Sequence, residues 1–119
     1  MSEFTKPVHG EVWTAKLDPT VGAEIAKTRP VVVISLPNAG NLPLCLAVPI
    51  TDWKPHSQRF SWFTQLEPSE SNGLSKLSGA DAFQCKSLST ERFIRKLGIL
   101  QQDKLKRIVL GIMFCTKFF

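Results

Sequence analysis

The sequence predicts a mainly β protein of the α+β class: a small, strongly bent sheet or barrel with short helices and a C-terminal helix. Three observations carry this expectation. Five short stretches rich in Val, Ile, Thr, Phe and Trp are separated by clusters of Pro, Gly, Asn and Ser. The longest apolar pattern with a helical period falls at the end of the chain, from Gln101 to about Cys115. A length of 119 residues, 43% hydrophobic and 21% charged, with no repeat and no long Gly/Ser/Pro tract, reads as one domain (1–119) able to close a core.

The first strand is residues 10–17, Gly-Glu-Val-Trp-Thr-Ala-Lys-Leu. It is followed by a stretch from Asp18 to Pro30 that has the Pro, Gly and Thr of a turn region and holds Glu24, Lys27 and Arg29. Connections between strands are usually two to five residues, so a loop of about a dozen points to function. The second strand, Arg29 to Leu36, contains Val31-Val32-Val33-Ile34, an unbroken run expected to be buried on both faces. Pro37 to Asn41 is a turn in composition. The third strand is Leu42 to Trp53, in which Pro49 implies a bulge or a sheet edge because proline cannot donate to a ladder. Lys54 to Gln58 turns the chain into a fourth strand, Arg59 to Leu66. A polar connection ending in Asn72-Gly73 leads to a fifth, Gly79 to Leu88.

Two helices are expected after that. Thr90 to Lys96 reads as a short amphipathic piece, begun by Ser89 or Thr90 as cap and ended by Gly98. In the longer one, Leu105, Ile108, Val109, Ile112 and Met113 form one apolar stripe, with Lys104, Lys106 and Arg107 away from it.

Composition excludes several classes. The run from Ile108 to Cys115 is far shorter than the ~20 residues of a membrane helix. The N-terminus has no apolar core of an export signal, so a cytoplasmic location is expected. Cys45, Cys85 and Cys115 are odd in number and widely spaced, as for reduced, buried thiols. The formal net charge of +5 is unevenly placed: residues 1–85 carry seven basic and eight acidic side chains, residues 86–119 eight and two. Such an excess favours polyanions or an acidic protein partner.

The phosphate-cradling Gly-rich loop, His-Glu-x-x-His and Gly-x-Ser-x-Gly are missing, and His9 and His56 are isolated in sequence. What remains is carboxylate, hydroxyl and guanidinium chemistry. Arg29 lies between the long loop and a buried strand, with Pro30 stiffening the backbone after it. Thr51 closes the neighbouring strand, so the two can meet at one sheet end. Arg offers planar paired donors to a phosphodiester and Thr a further one.

In order and spacing, Gly10-Glu-Val-Trp13, Leu17-Asp-Pro-Thr20, Gly22-Ala-Glu24, Lys27-Thr-Arg-Pro30, Val48-Pro-Ile-Thr51, Asn72-Gly73-Leu74, the Gln84…Lys86-Ser87 strand and Arg95-Lys-Leu-Gly98 resemble the MazF/PemK toxin family, over about residues 10–114. The resemblance implies an SH3-like β-barrel of five to seven strands and a homodimer. It further implies metal-independent, sequence-specific cleavage of single-stranded RNA without a cofactor, restrained by a cognate antitoxin that is acidic and MazE-like. Carried over residue by residue, Arg29 and Thr51 are the catalytic pair and Glu24 the candidate base. Lys27, Thr28, Trp53, Lys54, His56, Arg59, Gln84 and Lys86 are the candidates for contact with RNA. One departure stands out. The family strand usually begins Asp-Gln, whereas here Phe83 precedes Gln84. Asp81 is the nearest replacement, and Phe83, like Trp53, offers a surface for stacking a base. Two further readings use the same scaffold: a CcdB-like gyrase poison that acts by binding, and a non-catalytic member that binds only RNA or antitoxin.

Overall fold

The computed structural model describes residues 6–36 and 42–117. Among the described residues there are seven strands, β1 (Glu11–Lys16), β2 (Thr28–Val33), β3 (Leu44–Asp52), β4 (Phe63–Leu66), β5 (Ser78–Asp81), β6 (Lys86–Ser89) and β7 (Phe93–Ile99), followed by α1 (Gln102–Thr116). They form one antiparallel sheet in the order β4-β5-β3-β2-β1-β7, with β6 paired to β3. Among the described residues the terminal strands β4 and β7 do not pair, so the sheet is barrel-like but not closed.

Alternation along β2 explains the Val run. Val32 packs with Val12, Val48 and Ile50 in a core that α1 covers with Leu105 and Ile108. Val31 and Val33 face a second core with Ala15, Leu17, Cys45, Ala47, Leu88 and Phe93. A strand lying between two cores has no solvent face, so both of its faces must be apolar. Fully burying a side chain of this size contributes roughly 1.5–3 kcal/mol, so β2 is the best-anchored strand leading to the long loop.

β3 is central rather than an edge, and Pro49 is accommodated without a bulge in the β2–β3 register. Ile34 N donates to Leu46 O at 2.9 Å. Antiparallel rungs alternate between hydrogen-bonded and not, which makes Val31/Pro49 a rung without hydrogen bonds. The position where Pro49 lacks an N–H therefore faces away from β2. There β6 has ended at Ala47 and β5 has yet to begin at Ile50, so proline deprives no ladder of a donor.

Three expected elements differ. The segment Thr90 to Lys96 is not a helix: Ser89 Oγ caps a single 3-10 turn (Thr90–Arg92) by accepting from Glu91 N at 3.2 Å, and β7 follows. Pairing with β1 overrides the local pattern, through the Trp13–Phe93 edge contact at 6.0 Å and the Glu11–Lys96 ion pair at 2.9 Å. Gly98 does not end a helix; a Cβ there would lie 2.2 Å from Ser71 O. The expected fifth strand is broken by a 3-10 turn (Ala82–Gln84) into β5 and β6, and the fourth begins only at Phe63, after a turn at Ser57–Arg59. α1 is as expected in extent, but its most buried line is Leu105, Ile108 and Gly111, and Val109 is exposed. Gly111 lets α1 approach Trp62 and Ala82 closely. The turn expected at Pro37–Asn41 lies outside the described residues. No helix among the described residues is long and apolar enough to cross a membrane. All three cysteines are free; Cys45 is buried, whereas Cys85 and Cys115 are half-buried.

Candidate active-site cleft

The site arises where β2 and β3 part. Their shared register ends at Val31/Pro49, yet β2 reaches back to Thr28 and β3 runs on to Asp52. Beyond Pro49, β3 pairs instead with β5, Thr51 standing opposite Gly79 and Asp52 opposite Ser78. The strands splay because β3 has changed partner, and a cleft of about 380 Å³ opens between them. Ile50, Leu74 and Leu97 supply its apolar wall. Hydroxyls come from Thr14, Thr28, Thr51, Ser75 and Ser78, and charges from Arg29, Asp52, Lys76 and Arg95.

Arg29 and Thr51 are both half-buried at this cleft. Among the described residues the hydrogen bond made by the Arg29 side chain runs from Nε to Ala26 O at 3.4 Å. Lys76 pairs with Asp52 at 2.8 Å. The Lys76 hydrogen bond is the main reason the Asp52 carboxyl lies below its ordinary value, with Lys54 and Arg29 adding to its field. Asp52 is thus neutralised by Lys76, and among the described residues Arg29 and Arg95 have no ion-pair partner. A half-enclosed cleft with two unneutralised guanidinium groups and a ring of hydroxyls suits a phosphate-bearing ligand.

The other sequence-derived candidates scatter. Thr28 lies on the cleft. Glu24 is exposed in the β1–β2 loop, where Oε1 accepts from Val21 N at 2.6 Å, and it is not part of the cleft lining. Lys27 takes a left-handed conformation (φ 69°), and its carbonyl accepts from Leu17 N at 2.8 Å to close the loop base. Trp53 lines a separate hollow between β4 and α1, with Phe63, Arg107 and Phe114. Lys54, His56 and Arg59 are exposed on the turn that follows β3. Lys86 is half-buried on β6 opposite Ala47. The Gln84 amide is directed into the β1–β2 loop: Oε1 accepts from Ile25 N at 2.7 Å.

Asp81 does not line the cleft in place of the missing acid. It is buried, caps the 3-10 turn by accepting from Phe83 N at 3.1 Å, and accepts from Gln84 Nε2 at 3.2 Å. Burial pushes its carboxyl above the ordinary Asp value. Phe83 is 64% exposed and lies 5.4 Å from Trp62, which stacks on Phe60 at 4.9 Å.

Sequence reasoning missed Arg95, Lys76, Asp52, Thr14 and Ser75. Arg95 was hidden by reading its segment as a helix; on β7 it pairs with Thr14, which also pairs with Pro30, next to Arg29. Lys76 and Ser75 sit in an irregular stretch whose path is set by Gly73 (φ 70°), packed so closely on β7 that a Cβ would lie 2.1 Å from Leu97 O. Among the described residues no three His, Cys, Asp or Glu side chains group as a metal site.

An open seven-stranded barrel with one packed helix, and a cleft of guanidinium and hydroxyl groups where two strands part, defines a small barrel protein with a cleft suited to an oxyanion. The profile of a known family, described as PemK-like, MazF-like toxin of type II toxin-antitoxin system, matches residues 9–114, and the chain belongs to that family. It is 30% identical over 105 residues to endoribonuclease MazF9 of Mycobacterium tuberculosis, covering 83% of this chain and 86% of that protein. Its fold is similar to that of MazF from Deinococcus radiodurans, with a TM-score of 0.80 at 22% identity, over 96% of this chain and 99% of that one. It is also similar to a mycobacterial endoribonuclease solved in complex with its cognate antitoxin, with a TM-score of 0.73 at 15% identity, over 95% and 97% of the two chains.

Proposed function

We propose that this protein is the toxin of a type II toxin–antitoxin pair and an endoribonuclease that cleaves single-stranded RNA, mRNA included, at the β2–β3 cleft. The observation that carries the reading is the placement of Arg29 and Thr51 on the two walls of one cleft whose remaining charges leave the guanidinium unneutralised. Family membership and the likeness to endoribonuclease MazF9 support it.

The reaction needs no metal and no cofactor. The ribose 2′-oxygen attacks the adjacent phosphorus as its proton passes to a base. The bond from phosphorus to the 5′-oxygen breaks, and that oxygen takes up a proton. The products are a 2′,3′-cyclic phosphate and a 5′-hydroxyl end. Arg29 stabilises the charge that grows on the non-bridging oxygens, and Thr51 orients the phosphate. Arginine stays protonated, so the base is another group, and Glu24 is the candidate. Its loop must then carry it toward the cleft, because a base has to come within hydrogen-bond reach of the proton it removes. Arg95 adds positive field along the RNA path, whereas Lys76 is paired with Asp52.

Two partners belong to this reading. One is an acidic, partly disordered antitoxin, which suits the exposed basic side chains of the last third of the chain; solved relatives include a MazE-MazF complex from Deinococcus radiodurans. The other is a second copy of the chain, for which the exposed Phe60, Phe83 and Phe114, grouped around the half-buried Trp62, offer an apolar face.

The test is incubation of the purified protein with long single-stranded RNA in EDTA. Cleavage to cyclic-phosphate ends, strongly reduced in Arg29→Ala, is expected. Intact RNA across many sequences would overturn the enzymatic reading and leave the binding-only alternatives.

A further inference from the structure

The β1–β2 loop, residues 17–27, is tied to the barrel at two places by side chains from distant segments. Arg92 Nη1 donates to Lys16 O at 3.0 Å and to Asp18 O at 2.6 Å, fixing the start. Gln84 fixes the second half: Oε1 accepts from Ile25 N at 2.7 Å, and Nε2 faces Ala23 O at 3.5 Å. The Gln84 amide is oriented in turn, since Nε2 donates to Asp81 Oδ2 at 3.2 Å while Asp81 Oδ1 is held by Phe83 N at 3.1 Å. The residue after Ile25 is Ala26, whose carbonyl accepts from Arg29 Nε at 3.4 Å. A continuous line of contacts thus runs from a buried carboxylate, through one side-chain amide and the loop backbone, to the guanidinium at the cleft.

We propose that Gln84 is a positioning residue: held by Asp81, it sets the backbone of Ala23–Ala26 and through it the orientation of the Arg29 guanidinium. This deepens the endoribonuclease reading and rests on it for its effect on cleavage. It also gives Gln84 a role other than contact with RNA. Both ends of its amide are engaged, and the arrangement has a direction, since the amide oxygen accepts from Ile25 N while its nitrogen donates to Asp81. In Asp81→Asn an amide nitrogen would face either Gln84 Nε2 or Phe83 N, donor against donor. Turning Gln84 over to escape this would cost the bond to Ile25. The partially buried state of Ile25, packed against the second core, makes the tie worth holding, because the loop end cannot shift without uncovering that contact.

The experiment compares Gln84→Ala and Asp81→Asn with the wild type in two ways: amide hydrogen exchange of the free proteins, and steady-state cleavage of one RNA. The expected result is faster exchange confined to peptides spanning residues 23–29, with α1 unchanged. Cleavage should lose about tenfold to a hundredfold in kcat with little change in KM, the cost of misplacing a catalytic group by a fraction of an ångström or more. Unchanged exchange at residues 23–29 in both variants would overturn the tie. Faster exchange with kcat intact and KM raised would overturn the positioning of Arg29 and make Gln84 an RNA contact. If the wild type cleaves no RNA, the endoribonuclease reading fails, while the exchange arm still decides whether Gln84 holds the loop.

Discussion

Arg29 and Thr51 stand two residues beyond Val31 and Pro49, the last pair in the β2–β3 register, so continuing that register sets one across from the other. By alternation they share the face of Val31 rather than that of Val32 and Ile50. They face each other across a gap because β3 turns to pair with β5 at Ile50. Both sides of the cleft are therefore held by strands anchored close by, at the fully buried Val31 and Ile50, so the two side chains stand on a rigid scaffold.

Arg29→Ala is expected to lower kcat by about 10²–10³, the usual effect of removing one preorganised donor to a developing charge. Arg29→Lys should recover only part of this, because an ammonium cannot offer paired planar donors. Thr51→Ala should fall in the same direction. Cleavage of a defined RNA in EDTA, with circular dichroism to verify folding, measures all three.

Glu24 is the proposed base, while its observed contact is a loop cap on Val21 N. Glu24→Gln separates the roles, since the amide oxygen can still accept that bond but cannot take a proton at neutral pH. A loss of about 10²–10⁴ in kcat is expected in Glu24→Gln for a general base. Wild-type rates in this variant would confine Glu24 to the loop.

Gly73→Ala should destabilise the protein by about 1–3 kcal/mol, a typical cost of left-handed strain in a residue with a side chain. The backbone is left-handed at φ 70°, and a Cβ would also press on Leu97 O at 2.1 Å. Since Gly73 borders the cleft, cleavage should fall as well. Chemical denaturation of the two proteins gives the difference directly.

Stability should fall as pH drops below the ordinary Glu value of 4.5. Burial raises the Glu11 carboxyl, but the Val8 amide, the Trp13 indole and Lys96 outweigh it and leave the group lowered. A lowered folded-state value means that Glu11 stabilises the fold above its unfolded value and that this is lost as pH falls through the folded one. Asp81, raised by burial, acts with the opposite sign: its contribution is present at low pH and lost as pH rises through its raised value. Urea denaturation of Glu11→Gln against wild type across this range isolates the Glu11 share, and the variant should show the flatter profile.

Self-association should appear as a mass near twice 13.3 kDa in light scattering at micromolar protein. Phe83→Asp, which puts a charge into the exposed aromatic row beside Trp62, should shift the mass toward the monomer. A monomer for the wild type would set the homodimer aside.

The local pattern determined much by itself. Val31–Val33, apolar on consecutive residues, pointed to a strand buried on both faces, and the 3.6-residue stripe from Leu105 to Ile112 to a helix packed on the sheet. That Arg29 and Thr51 line one cleft was legible for the same reason, since each abuts a buried strand and adjacent strands share an end. Other features depended on contacts distant in sequence. Segment 90–96 has the composition of an amphipathic helix, and from Phe93 onward it is a strand because β1 offers it hydrogen bonds, Trp13 and Glu11. Arg95 reaches the cleft only through that pairing, and Lys76 only because Gly73 and Gly98 let an irregular stretch lie flat on β7. Gln84 reads in sequence as a candidate for contact with RNA; a partner 59 residues away engages it. Periodicity encodes which face of an element is buried, and that is a local property. Which element lies against that face, and which side chains thereby meet in a cleft, is decided only when the whole sheet closes on its cores.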